Sequence, residues 1–110
     1  MTDRELLERA ARAAGITGVY RADWGAIERS DRFDSFGRGD QWRPHRDDAD
    51  AFRLMVSAGL DVEWCSSGRV SAYRHANANG HCFTAMESYR EDRAAATRRA
   101  IVRAAAEMAE

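Results

Sequence analysis

The 110-residue chain contains no lysine, one proline, two cysteines and three histidines. Two cysteines are too few for a disulfide-stapled scaffold. No apolar run approaches the roughly 20 residues that a membrane-spanning helix needs. No apolar stretch follows the opening Met1-Thr2-Asp3-Arg4-Glu5, so no signal peptide is expected. All 17 basic residues are arginines, and 18 acidic residues bring the net charge to −1. Such a chain is not a polycation that holds nucleic acid by charge alone. There is no glycine-rich phosphate loop, no His-Glu-x-x-His and no Gly-x-Ser-x-Gly. What is present is an ordinary globular composition, 45% hydrophobic. This length makes one domain, able to bury a core without staples. The expectation is a single soluble, cytoplasmic domain over residues 1–110.

Three helices are legible. Thr2 and Glu5 have capping-box spacing, and Leu6, Leu7, Ala10, Ala11 and Ala14 then recur on one face. Gly15 closes this helix as a left-handed cap, with Ile16 packing back. A second helix starts at Asp47 or Asp48, with Ala51, Phe52, Met55, Val56 and Ala58 expected on its buried face, and Gly59 closes it. The third, over 89–109, has no glycine or proline and is rich in alanine. Ser88 and Glu91 are spaced to cap it.

Strands are read at 60–65, 69–75 and 81–87, joined by turns at Ser66-Ser67-Gly68 and at Asn77–Gly80. Short runs at 16–22 and 24–28 make an N-terminal hairpin. Residues 31–46 read as a loop that holds the only proline, Pro44. Phe33, Phe36 and Trp42 are expected to dock it on the core. The fold class is therefore α+β: an antiparallel sheet, made of a three-stranded meander plus that hairpin, and three helices layered on both faces as an α/β/α sandwich.

Three stretches resemble small phage and prophage proteins of the ABA-sandwich type. The first is Trp42-Arg43-Pro44, followed by Asp47-Asp48-Ala49-Asp50-Ala51 and Leu54. The second is Ala95–Ala105, and the third runs from Glu5-Leu6-Leu7 to Ala14-Gly15-Ile16-Thr17-Gly18. His45 stands where that pattern has an apolar residue, and Ala49 where it has glycine. The resemblance implies a sheet between helical layers, a bacterial host cytoplasm and no assigned activity. It makes Trp42-Arg43-Pro44 a plug that seats the loop rather than a site.

Four residues invite a metal or thiol reading: Cys65, His75, His81 and Cys82. Their spacings leave nine, five and zero residues between neighbours. Zinc sites use close Cys or His pairs, and adjacent strand residues point to opposite faces. Neither cysteine opens a helix, where its thiol would be activated. A small enzyme or metal protein built on these four is one alternative, and a Cys65–Cys82 disulfide is disfavoured in the cytoplasm. Asp47, Asp48 and Asp50 suit a helix N-terminus, and Arg98, Arg99 and Arg103 a solvated helix face.

Residues 32–46 interleave arginine with aromatics, a pattern that suits single-stranded nucleic acid. The aspartates among them and the slightly acidic chain oppose it. The function expected is therefore that of a non-catalytic phage or prophage accessory protein without cofactor or metal. It would bind a host or phage protein, inhibition of host defence being one form of this. The interaction candidates are Phe36, Arg38, Trp42, Arg43, His45 and Arg46. A nucleic-acid-binding module using the same loop is the second alternative. An open sheet edge leaves room for a homodimer.

Overall fold

A computed structural model describes residues 1–74, 83–89 and 92–109. The order is α1 (Asp3–Ala14), β1 (Gly18–Arg21), β2 (Ala26–Phe33), β3 (Gly39–Trp42), α2 (Asp48–Ala58), β4 (Asp61–Cys65), β5 (Arg69–Arg74), β6 (Phe83–Ser88) and α3 (Arg93–Met108). The chain is α+β, with two three-stranded antiparallel sheets in the orders β1-β2-β3 and β4-β5-β6. Among the described residues no helix is long and apolar enough to cross a membrane.

Both early helices end as their sequences require. Gly15 and Gly59 adopt φ of 70° and 68°, where only glycine is at ease. Ile16 N–H then donates to Ala11 O, and Leu60 N–H to Met55 O, both at 2.9 Å. The Thr2 hydroxyl accepts from Glu5 N at 3.2 Å, and the Asp47 carboxylate from Asp50 N at 2.9 Å.

Three expectations need correction. Residues 31–46 are not one loop. Asp31, Arg32 and Phe33 end β2, Gly39–Trp42 form β3, and Ile27 pairs with Trp42; of the three aromatics expected to dock, Phe33 and Phe36 are exposed and only Trp42 is buried. The run Gly-Asp-Gln-Trp has little intrinsic strand preference. It becomes a strand because Trp42 is buried beside Ile27. The expected hairpin is thus a sheet of its own. Second, Ser88 does not cap the last helix. It pairs with Arg69 in β6, and Tyr89 N–H donates to Gly68 O at 3.0 Å, so the backbone stays extended there. Asp92 is the cap, accepting from Ala95 N at 2.9 Å. The Asn77–Gly80 turn and Glu91 lie outside the described residues.

Third, α2 is apolar on two stripes. Ala51, Leu54 and Ala58 enter the core. Phe52 and Val56 point away from it and are exposed. The core itself joins Leu7 of α1, Ile27 and Trp42 of the first sheet, Val70, Ala72 and Ala85 of the second, and the alanine-rich face of α3. Ala100, Ala104 and Ala105 are fully buried. Their small side chains let α3 lie close to α1 and to β5 and β6.

Candidate functional site

The β2–β3 connection orders itself. Asp34 Oδ1 accepts from Phe36 N at 2.9 Å and from Arg38 N at 3.0 Å. Asp34 N–H donates to Arg38 O at 2.7 Å, and Gly37 N–H to Asp34 O at 3.1 Å. This is an aspartate-nucleated turn, in which a carboxylate replaces backbone partners. The tip is therefore held by its own main chain, and Phe36 and Arg38 have no packing duty. Phe36 is 81% exposed, and the Arg38 guanidinium stands 5.4 Å from its ring centre.

Beneath the tip, a cleft of about 550 Å³ opens between the β2–β3 hairpin and the start of α2. Arg29, Arg32, Arg38, Arg43 and Arg53 line it with Trp24, and aspartates alternate with them. In a regular strand Arg29 and Arg32 would point to opposite faces. They share the cleft because β2 is irregular between Glu28 and Phe33. Such a bulge re-aims side chains.

Most of these guanidiniums are paired. Arg29 binds both oxygens of Asp31 at 2.9 Å, and this bond pulls the Asp31 carboxyl below its usual range. Arg32 meets Asp40 at 3.3 Å, and Arg53 meets Asp50 at 2.7 Å. Asp50 is buried and also accepts from Arg43 N at 3.0 Å, tying the residue after β3 to α2. The guanidinium of Arg43 has no carboxylate partner among the described residues.

The six interaction candidates thus separate. Phe36 stands at the tip, and Arg38 and Arg43 line the cleft. Arg46 is not among the cleft's lining residues and reaches it only through Trp24, donating to Trp24 O at 3.5 Å. Trp42 is 2% exposed and Pro44 fully buried, so both are plugs and Trp42 offers no binding surface. His45 turns to the other side, against Leu6, Leu7 and Val102, near Asp3 and Arg99.

Both ring nitrogens of His45 are buried and meet no partner in good hydrogen-bond geometry among the described residues, although the Gly25 backbone is close enough to favour the protonated ring. Burial lowers its pKa below 6.5, helped by the Arg46 charge and opposed by Asp3. The unfolded chain therefore takes up this proton at a higher pH than the folded one. The stability it contributes is complete above about pH 6.5 and is lost as pH falls toward the folded value. His45→Leu should flatten thermal stability between pH 7.5 and 5.5 and raise it by about 1 kcal/mol, because an unpaired buried polar group is removed. An unchanged pH slope in differential scanning calorimetry would assign the dependence to other groups.

The arginines of α3 are not merely a solvated face. Arg98 donates to Asp48 at 2.6 Å and to His45 O at 3.3 Å. Arg99 and Arg103 meet Glu87 at 3.3 and 3.2 Å. They fasten α3 to α2 and to β6. Of the metal and thiol candidates, Cys65 is an exposed free thiol on β4. His75, His81 and Cys82 lie outside the described residues.

A feature missed in the sequence lies on the far side of α2. Asp47, Asp50 and Arg53 face the polar cleft. Phe52 and Met55 line a second depression of about 550 Å³ with β4 and α3. The signal was an excess of apolar residues on α2, more than one buried face needs. Compared with protein-family models, with curated proteins and with solved structures, the chain finds no match.

Proposed function

We propose that this is a non-catalytic binding protein that captures an acidic surface of a partner protein with its β2–β3 hairpin and the cleft below. The observation that carries the proposal is the pre-organised tip. Asp34 fixes the backbone while Phe36 and Arg38 project into solvent, above a cleft lined by five arginines. An ordered loop loses little entropy on binding, and aromatic and arginine anchors dominate protein interfaces. Arg43, with no carboxylate partner among the described residues, offers its guanidinium to a partner's carboxylate inside the cleft, below Arg38 at the tip. The three stretches that resemble phage and prophage proteins support a phage accessory protein acting in a bacterial host. Its partner would then be a host or phage protein, with host-defence inhibition one form of the activity.

Nucleic acid is the second reading, favoured by the convergence of arginines with Trp24. The paired aspartates weigh against it.

The test is affinity capture from bacterial lysate with the tagged protein, at low and high salt, with and without nuclease. The expected result is one protein retained after nuclease. Phe36→Ala with Arg38→Ala should remove it while the melting temperature stays within a degree or two, since exposed substitutions cost about 0.5 kcal/mol or less. Capture that vanishes with nuclease and falls steeply with salt would move the function to nucleic acid. Capture untouched by the double substitution would overturn the assignment of this surface.

A further inference from the structure

The depression on the other side of α2 differs in kind from the cleft. Phe52 and Met55 of α2, Val62 and Trp64 of β4, and Ala94 and Ile101 of α3 form its walls and floor. Phe52 is 60% and Trp64 52% exposed, so two aromatic rings are left to water. Trp64 is nevertheless fixed. Its indole N–H donates to Thr97 Oγ1 at 3.0 Å, and the Thr97 hydroxyl donates to Arg93 O at 2.7 Å. The groove is therefore preformed, since one wall is held upright by a hydrogen-bonded chain.

Its polar groups belong to the helix ends. Arg93, Arg98 and Asp48 stand at its edge, and α3 begins there, at Arg93. Arg98 is engaged by Asp48 at 2.6 Å. Arg93 lies over the Tyr89 ring at 4.8 Å and has no carboxylate partner among the described residues. The Asp92 carboxylate caps the positive end of the helix dipole, so Arg93 supplies the charge offered to a ligand. The volume of about 550 Å³ falls in the range of small-molecule sites, which are mostly apolar with a few placed polar groups.

We infer that this groove is a binding site for an amphiphilic carboxylate, an apolar acyl or aromatic body with a single anionic head. The body lies between Phe52 and Trp64 and over Ile101. The carboxylate meets Arg93, which lines the groove and has no oppositely charged partner among the described residues. This site is separate from the hairpin surface, with α2 standing between them.

Calorimetric titration of the intact protein with decanoate, and with decan-1-ol as its uncharged counterpart, tests the site. One decanoate should bind per chain, about tenfold more tightly than decanol, because a guanidinium–carboxylate bond is lost in the alcohol. Arg93→Gln should bring decanoate down to the affinity of decanol and leave decanol unchanged. Phe52→Asp should abolish both without lowering the melting temperature, as Phe52 is exposed. Phe36→Ala with Arg38→Ala should leave decanoate binding intact, which separates this site from the hairpin surface. No saturable binding, or equal binding by Phe52→Asp, would overturn the site. Equal affinity for acid and alcohol would overturn its anionic end. A concentration-dependent dimer in sedimentation, dissolved by Phe52→Asp, would assign the groove to a second copy of the chain instead.

Discussion

Trp42→Ala is expected to cost about 3–5 kcal/mol of folding stability, a large part of what a domain of this size has. The indole is 2% exposed and lies opposite Ile27 on the neighbouring strand. Removing it opens a cavity that the backbone of two paired strands cannot close. The loss also reaches beyond the core. Trp42 holds β3, and the main chain that follows carries Arg43 to its bond with Asp50 and Pro44 into the interior. Partner capture should therefore fail in Trp42→Ala together with folding, whereas Phe36→Ala should lose capture while folded. Urea denaturation measures the difference. A change of less than 1 kcal/mol would mean that Trp42 is not the anchor of the first sheet.

Gly39→Ala is the second large effect, and it arises from space alone. A Cβ at position 39 would overlap the carbonyl oxygen of Arg29 and stand 2.6 Å from Glu28 Cγ. The first of these is main chain on the paired strand and cannot rotate away. The hairpin must open where β2 is already irregular. The expected cost is about 1–3 kcal/mol, as for other overpacked sites. It should fall on β2 and β3 before the rest of the molecule. Amide exchange would show faster exchange in Ala26–Phe33 and Gly39–Trp42, with α3 protected. Arg29, Arg32 and Arg38 would leave the cleft, and capture would weaken. Wild-type exchange rates in β2 and β3 would show that the close approach is tolerated.

The two glycine-closed helices and the β4–β5 pairing are legible because each depends on neighbours in the chain. Capping residues, αL glycines and strict alternation are local signals. The start of α3 was harder to read. Ser88 and Asp92 are both good caps, and the pairing of Ser88 with Arg69 decides between them. The site was half legible. An arginine- and aromatic-bearing segment at 32–46 stood out, and Phe36, Arg38 and Arg43 do face solvent or the cleft. Trp42 and His45 have the same composition signal and the opposite fate. Nothing in a list of residue types says which aromatic on a short strand turns inward.

By itself the sequence determined the α+β class, three helices with the Thr2 cap and the Gly15 and Gly59 closures, and an antiparallel meander. These follow from periods of 3.6 and 2 and from backbone preferences that act within a few residues. Tertiary structure alone decided that 39–42 is a strand, that the N-terminal hairpin is a separate sheet, and that α2 has one stripe for the core and one for a groove. Each of these depends on what lies across space: Ile27 beside Trp42, Glu28 against Gly39, and β4 and α3 beyond Phe52. Burial and close approach are properties of pairs distant in the chain, and no local window contains both members.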